Sequence, residues 1–235
     1  MPQRSDSRHT RELRPVKIQR KFVSNSAGSA LIDIGNTRVL CTANIEATVP
    51  QFLRDTKQGW LTAEYSMLPG ATSTRTPRES TQGKQSGRTI EIQRLIGRSL
   101  RQAIDLQRLS EHTIRVDCDV IQADGGTRTA AITGACIAVY DALDSWNFNA
   151  FRGWVAAISV GIVHRELRLD LNYEEDAMAD TDLNVVVLQN HGYVEIQGTA
   201  EGAPLPSERL HEMLALAQEG IETLFSFQHR ALEGT

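Results

Sequence analysis

The stretch DCDVIQADGGTRT, from Asp117 to Thr129, passes from one periodicity to another and sets the fold of the chain. Apolar and polar side chains alternate up to Gln122, which predicts a β-strand over His112–Gln122. Two consecutive glycines then allow a sharp turn, because glycine adopts left-handed backbone angles at no steric cost. The residues from Thr127 to Leu143 are small and apolar, which predicts a buried helix. A strand, a tight turn and a core helix are therefore expected in direct succession.

The turn also has the chemistry of an anion site. The start of a helix presents free N–H groups and a partial positive charge, and Arg128 in the first turn can add bidentate contacts to phosphate oxygens. A plain strand-to-helix turn capped by Thr127 or Asp124 explains the two glycines equally well. The pattern by itself leaves both interpretations open.

Outward from this unit, the patterns predict strands and helices along nearly the whole chain. Residues 1–13 are charged and patternless and are expected to form an extended arm, and Gly70–Lys84 is expected to be a long loop. A last helix with an apolar face is predicted from Ser207 onward. The predicted strands are Val16–Phe22, Ser29–Ile34, Thr37–Ile45, Val155–Val163, Glu166–Leu171, Leu183–Leu188 and Val194–Gly198.

Arg88–Asp105 is predicted to be a helix with a basic stripe. Arg94, Arg98 and Arg101 recur at helical spacing beside an apolar face. Arg88 follows a glycine at the start of this helix, where its charge opposes the helix dipole. A residue placed against local preference suggests a ligand, although an exposed basic residue is the simpler interpretation.

An acidic run precedes the predicted strand Leu183–Leu188. Asp182 and Asn184 share one face of that strand. Clustered carboxylates can bind Mg²⁺ together with water and substrate phosphates, or one of them can act as a general acid. A solvated acidic loop is the alternative. The carboxylates of the run are Glu174, Glu175, Asp176, Asp180 and Asp182.

The charge distribution is uneven along the chain. The first 101 residues hold 17 of the 25 Lys and Arg but only 8 of the 29 Asp and Glu. This asymmetry suggests a basic surface for a polyanion, unless the halves interleave in the fold and their charges compensate.

Other features of the sequence bear on the cellular location of the protein. No apolar run approaches the roughly 20 residues of a spanning helix, and the N-terminus lacks the apolar stretch of a signal peptide. Three scattered cysteines indicate reduced thiols, so a cytoplasmic location is expected.

Five stretches together resemble the bacterial ribonuclease PH family, the phosphorolytic tRNA nucleotidyltransferases. The resemblance runs from about Leu13 to the C-terminal helix. Its specific stretches are QGWLTAEY (58–65), GRTIEIQRLIGR (87–98), DCDVIQADGGTRT (117–129), LDLNYEED (169–176) and QGTAEG (197–202). One departure lies in the arm, where the usual Arg-Pro-Asp-Gly-Arg is replaced by Arg4-Ser-Asp-Ser-Arg8.

The resemblance implies an α+β fold like domain 2 of ribosomal protein S5, with two βαβ-type halves in one catalytic domain over residues 1–235. It implies a homohexamer built as a trimer of dimers. Asp176 and Asp182 map onto an acidic pair that is catalytic and holds Mg²⁺. The implied site for inorganic phosphate, the co-substrate, is Arg88, Gly126, Thr127 and Arg128.

The expected activity is phosphate-dependent 3′→5′ trimming of RNA, including tRNA precursors, with release of nucleoside diphosphates. The reverse reaction would add nucleotides. The candidate RNA contacts are Arg75, Arg78, Lys84, Arg94 and Arg98, with at least one helix arginine expected in an interface or structural role. Two rivals are a non-catalytic RNA-binding ring subunit and a hydrolytic nuclease.

Overall fold

A computed structural model describes residues 4–233 as two sheets packed around a central helix. The first sheet has the strand order β1-β2-β3-β5-β4 and the second has the order β7-β6-β8-β9. The strands are β1 Val16–Arg20, β2 Gly28–Ile34, β3 Thr37–Glu46, β4 Trp60–Met67, β5 Thr113–Gln122, β6 Val155–Val163, β7 Glu166–Leu169, β8 Thr181–Leu188 and β9 Gly192–Ala200. The helices are α1 Glu79–Gln82, α2 Gly87–Gln102, α3 Thr127–Ser145, α4 Tyr173–Ala177 and α5 Ser207–Glu233.

The expected α+β fold is confirmed, and its two halves differ in their crossovers. In the first half, β4 and β5 pair in parallel and α2 connects them, so they form a βαβ unit. In the second half, adjacent strands are all antiparallel. There, α4 connects β7 to β8, which lie on either side of β6 and run parallel to each other without being neighbours.

Helix α3 lies in the core and contacts both sheets through β2, β3 and β6. Small residues allow this close approach. A Cβ atom at Gly134 would lie 2.7 Å from Cγ2 of Ile32. Polar side chains along the helix are satisfied internally, as where the Thr133 hydroxyl donates to the carbonyl of Thr129 at 3.0 Å and accepts from the amide of Ala157 at 3.1 Å. The expected core helix is therefore buried on nearly every side.

Three elements differ from the sequence-based expectation. The stretch Gly70–Lys84 is not a continuous loop, since it contains the short helix α1. Helix α4 lies in the acidic run, where a loop was one expectation. Its capping box explains it: the Asn172 side chain accepts from the amide of Glu175 at 3.0 Å, and the Glu175 side chain accepts from the amide of Asn172. Strand β4 was not predicted, because the mixed composition of its residues shows no clear period.

Residues 4–13 contain no helix or strand, but they do not form a loose extended arm. The buried Arg4 guanidinium donates two hydrogen bonds of 2.7 Å to the Glu175 carboxylate, which is also buried. Before Arg8 the backbone turns, with the amide of Ser7 donating to the carbonyl of Arg4 at 2.9 Å. Ser7 has a left-handed φ of 63° at the position where the family pattern has glycine. The turn therefore forms without the proline and glycine.

The charge asymmetry of the sequence is largely compensated in the fold. Arginines of the first half pair with carboxylates of the second half at several places. These pairs are Arg4–Glu175, Arg11–Glu219, Arg14–Asp170, Arg20–Asp141 and Arg98–Glu195. The basic first half and the acidic second half of the chain therefore interleave in the fold. This agrees with the alternative interpretation, in which their charges compensate each other. Within residues 4–233, none of the helices is both long and apolar enough to cross a membrane.

Ser7→Gly is expected to stabilise the protein by about 1 kcal/mol, because a non-glycine residue pays that order of free energy for a left-handed backbone. Denaturant unfolding monitored by circular dichroism measures the change. Ser24→Gly is the matched control: Ser24 is exposed and its φ is not positive, so this glycine should be neutral or destabilising. An equal effect of both substitutions would contradict the assignment of strain to Ser7.

Candidate active site

The predicted phosphate residues and the predicted acidic pair face one cleft. Its volume is about 1830 Å³. Four elements that are distant in sequence supply the predicted residues of this cleft: the start of α2, the turn before α3, helix α4 and strand β8. The predicted residues that line it are Arg88, Gly126, Thr127, Arg128, Asp176 and Asp182.

The two glycines before α3 both have left-handed backbone angles. Gly125 has φ 72° and Gly126, the N-cap residue of α3, has φ 64°. A Cβ atom at Gly125 would lie 2.6 Å from the carbonyl oxygen of Leu171 and 2.8 Å from the amide nitrogen of Tyr173. Glycine is thus required both for the conformation and for the contact with the segment that leads into α4. The first residues of α3 line the cleft and its N-cap Gly126 has no side chain to cap their amides, as an anion site needs.

Two arginines flank this turn from different helices. Arg128 follows the turn, and one of its terminal nitrogens donates to Oε1 of Gln197 on β9 at 3.1 Å. The guanidinium has five N–H donors, so this contact orients the group and leaves further donors for an anion. Arg88 is the second residue of α2, whose N-cap Ser86 accepts from the amide of Thr89 at 3.1 Å. The helix start therefore has its own cap, and Arg88 is available to a ligand.

The buried Tyr65 lies at the base of this turn. Its hydroxyl forms a 2.8 Å hydrogen bond with the hydroxyl of Thr127 at the first position of α3. Burial raises the pKa of Tyr65, while the charges of Arg88 and Arg128 lower it. Both guanidinium groups therefore act on the same point at the base of the turn. No sequence pattern distinguished Tyr65, whose position depends on the pairing of β4 with β5.

The acidic pair meets the arginines across the cleft. The pKa of Asp176 is raised by desolvation, while Arg128 and Arg88 lower it. The pKa of Asp182 is also raised by desolvation and then by the negative charge of Asp176, while Arg128 lowers it. As expected from the strand periodicity, Asn184 lies on the same face, with its amide nitrogen 3.5 Å from Oδ2 of Asp182. The charges of the arginines thus act on both carboxylates of the site.

A buried network of arginines and carboxylates supports the cleft, and its Arg14 also lines the cleft. Arg14 donates to Asp170 at 2.7 and 2.9 Å and also to the carbonyl oxygen of Asp124. Burial raises the pKa of Asp170, but Arg14 outweighs burial and the net pKa is lowered. Glu175 accepts from Arg4 and from Arg168, the latter at 3.0 Å. This network was not predicted from the sequence, although its arginines in residues 4–14 and its acids in LDLNYEED both lie in conspicuously charged stretches.

The structure separates the candidate RNA contacts into groups. Arg78 and Lys84 line a second cavity of about 730 Å³, and Arg88 lines both cavities. Arg75 and Arg94 are exposed. Arg98 donates to both carboxylate oxygens of Glu195 on β9, at 2.5 and 3.0 Å, so this ion pair competes with RNA for that guanidinium.

A third stripe residue has a structural contact. The Arg101 guanidinium lies 4.5 Å from the centre of the Trp60 ring and donates to the carbonyl of Leu61 at 3.0 Å. It therefore fixes α2 against β4.

The carboxylates of the site fit a magnesium ion only if the substrate completes the shell. The described part of the chain contains no group of three or more His, Cys, Asp and Glu side chains arranged to hold a metal. Mg²⁺ commonly binds one or two protein carboxylates and takes its other ligands from water and phosphate. Asp176 and Asp182 repel each other electrostatically, and a divalent cation between them would relieve that repulsion. The pair therefore suits Mg²⁺ bound together with a phosphate-bearing substrate.

Comparison with known proteins gives two family matches. A sequence model of the 3′ exoribonuclease family, domain 1, matches residues 12–143, and one of domain 2 matches residues 153–220. These matches bear out the fold like domain 2 of ribosomal protein S5.

Similar solved structures include Rrp46 from rice (Oryza sativa), with 18% identity, a TM-score of 0.82 and coverage of 98% of this chain and 100% of that chain. An Archaeoglobus fulgidus exosome with RNA bound to the active site gives 22% identity, a TM-score of 0.81 and coverage of 95% and 92%. An archaeal exosome core gives 20% identity, a TM-score of 0.74 and coverage of 97% and 91%. At these identities the likeness concerns the fold.

Gly125→Ala is expected to destabilise the protein by more than 2 kcal/mol and to weaken anion binding, since the methyl group must displace the backbone of residues 171–173. Gly83→Ala is the matched control. Gly83 has nearly the same φ, 70°, but no heavy atom lies within 4 Å of its added Cβ, so only about 1 kcal/mol of backbone strain is expected. Chemical denaturation measures both, and equal losses would exclude a role for the contact with residues 171–173.

Proposed function

We propose, given that this chain belongs to the 3′ exoribonuclease family, that it shortens RNA from the 3′ end by phosphorolysis, in the manner of ribonuclease PH. The observation that carries the proposal is the convergence of Arg88, Arg128 and the Gly126 turn with Asp176 and Asp182 in one cleft. A hydrolytic nuclease needs a site for water and one phosphate. Two arginines and a helix start provide capacity for a second anion, the attacking phosphate.

In the proposed reaction, Arg88, Arg128 and the first amides of α3 hold inorganic phosphate in line with the last phosphodiester of the RNA. A phosphate oxygen attacks that phosphorus, and the bond to the 3′ oxygen of the penultimate nucleotide breaks. The products are RNA shortened by one residue and a nucleoside diphosphate. Catalysis here consists mainly of positioning and charge neutralisation. Because a phosphoanhydride forms as a diester breaks, the same site can extend RNA from nucleoside diphosphates.

Asp176 and Asp182 have two alternative roles in this proposal. They can hold Mg²⁺, which when bound would neutralise negative charge on the phosphates. Alternatively, Asp182 can protonate the leaving 3′ oxygen, and its raised pKa favours retention of a proton. Asp176 raises that pKa further by its charge, so the pair acts together in either role.

The finer features of the proposal concern substrates and assembly. We propose tRNA precursors among the substrates, a homohexamer built as a trimer of dimers, and a cytoplasmic location. Arg78 and Lys84 support an RNA path that leads to Arg88, because all three line one cavity. Arg75 and Arg94 are exposed and are proposed as further RNA contacts.

A second candidate is a non-catalytic RNA-binding subunit of an exosome-like ring, since the fold is shared with chains of exosomes. A subunit without catalytic function needs neither two arginines at the starts of two helices nor a pair of carboxylates facing the same cleft. This chain has both, which favours catalysis.

The deciding experiment incubates the purified protein and a tRNA precursor with a 3′ extension, with and without inorganic phosphate, in the presence of Mg²⁺. Nucleoside diphosphates released only with phosphate support the proposal. Nucleoside monophosphates released in phosphate-free buffer indicate hydrolysis. RNA binding without product under either condition indicates the non-catalytic subunit.

Arg128→Ala is expected to reduce phosphorolysis by roughly 30- to 1000-fold, which corresponds to the loss of about 2–4 kcal/mol of transition-state stabilisation. RNA affinity should change little, because it arises from many backbone contacts. Steady-state kinetics at limiting phosphate and filter binding of tRNA measure the two effects. The control is Arg209→Ala, which removes an exposed ion pair with Glu212 on α5. Wild-type turnover of Arg128→Ala would refute the anion assignment.

Asp182→Asn is expected to abolish activity while making the folded protein more stable at pH 7. A carboxyl whose pKa is raised on folding binds its proton more tightly in the folded state. Its ionisation therefore destabilises the protein as pH rises above the ordinary value of about 3.9. Asparagine does not ionise, so the variant should gain stability at pH 7 and lose that advantage toward pH 4.

Urea unfolding at several pH values and a phosphorolysis assay test this pair of effects. Asp180→Asn, two residues away and exposed, should remain active. If Asp180→Asn is inactive and Asp182→Asn is active, the acidic pair has been misassigned by two residues.

Replacing both Arg75 and Arg78 by alanine should raise the KM for tRNA and flatten the salt dependence of binding, with the KM for phosphate unchanged. Size-exclusion chromatography checks the assembly of the variant. A smaller particle with unchanged tRNA affinity per intact assembly would assign these arginines to subunit contacts instead.

A further inference from the structure

We infer that Tyr173 is the stacking surface for the base of the 3′-terminal nucleotide. This inference rests on the proposed function and adds to it a site for the nucleoside part of the substrate. The residues described above bind only the anionic groups of an RNA end. A cleft of about 1830 Å³ also has space for the ribose and base, since pockets for whole small ligands measure roughly 300–1000 Å³.

Tyr173 is a large aromatic side chain exposed inside this cleft. It lines the cleft with Arg128 and Asp176, and 66% of its surface is accessible. Among the described residues, its ring has no stacking or edge contact with another ring. The aromatic rings of Tyr140, Phe151 and Trp154, by contrast, pack against one another. Tyr173 therefore offers a face of its ring to a ligand.

The backbone beneath this ring is fixed from two sides. The amide of Tyr173 donates to Oδ1 of Asp124 at 3.2 Å, and the following turn is closed by the capping box of Asn172 and Glu175. Glu175 is buried and bound by Arg4. An exposed side chain on an immobilised backbone can bind a ligand with little loss of backbone entropy.

Tyr173 also lies next to residues that are proposed to bind the reacting groups. Its amide nitrogen lies against Gly125, at 2.8 Å from the position of an added Cβ, so the phosphate turn and this residue are in direct contact. Asp176 follows three residues later, one helical turn along α4. The backbone of Tyr173 thus adjoins the turn proposed to bind phosphate, and Tyr173 lines the same cleft as Arg128 and Asp176.

Stacking suits this reaction chemically. Every base has a π-face, so an aromatic platform binds successive nucleotides of different sequence. An enzyme that removes residues one by one needs this tolerance at the 3′ end. The expected consequence is affinity for all four bases, stronger for purines because their rings are larger.

The test compares ADP, which has a base, with inorganic pyrophosphate, which has none, by isothermal titration calorimetry in the presence of Mg²⁺. Tyr173→Ala should weaken ADP binding by about 5- to 150-fold, the range found for loss of one base–aromatic stack, and leave pyrophosphate binding within 2-fold. Tyr173→Phe keeps the ring and should bind ADP like the wild type. Tyr193→Ala, at an exposed tyrosine on β9 that is not among the cleft residues, is the matched control.

Outcomes separate the stacking role from the proposed function. If the wild type releases nucleoside diphosphates with phosphate but Tyr173→Ala binds ADP as tightly as the wild type, stacking is overturned and phosphorolysis stands. Equal losses of ADP and pyrophosphate affinity would also overturn it, because they would show damage to the anion site. If the wild type releases no nucleoside diphosphate, the proposed function fails, whatever the ADP titrations show.

Discussion

Arg14 donates hydrogen bonds to both carboxylate oxygens of Asp170 and to the carbonyl oxygen of Asp124, and the geometry of the cleft depends on this buried contact. Asp170 begins the segment that carries Tyr173 and Asp176, while Asp124 begins the turn that leads into α3. One guanidinium therefore holds the carboxylate wall of the cleft against its phosphate wall. A buried charge without its partner is strongly destabilising. Loss of either Arg14 or Asp170 would therefore disrupt the contact between the two walls.

The same contact explains why the cleft can concentrate opposite charges without collapsing. Partial desolvation raises the pKa of Asp176, whereas the charges of Arg128 and Arg88 lower it. The net effect is a raised pKa. Within the described part of the chain, Arg128 donates to the neutral side chain of Gln197 and not to a carboxylate. Positive and negative groups thus remain available to the substrate instead of neutralising each other in closed ion pairs.

Patterning along the chain was sufficient for most of the fold. The strand before Gly125, the helix after Gly126 and the apolar face of α2 were evident because periodicity is a local property. Local signals failed for α1 and α4, whose residues are polar and whose helices are too short to show a period. The capping box at Asn172 was the one local signal for α4. The phosphate residues and the acidic pair were identified through the motifs of a family, since their spacing alone favoured ordinary turns and loops.

The sequence by itself determined the order of most strands and helices, the sharp turn at Gly125 and Gly126, and the chemical types of the residues in the cleft. Only the tertiary structure decided which charges meet. Arg14 and Asp170 are separated by 156 residues, and no local pattern specifies a partner at that distance. The physical reason is that burial and electrostatic pairing depend on the positions of whole elements, which the packing of both sheets on α3 fixes. The basic first half and the acidic second half are consequently complementary parts of one site.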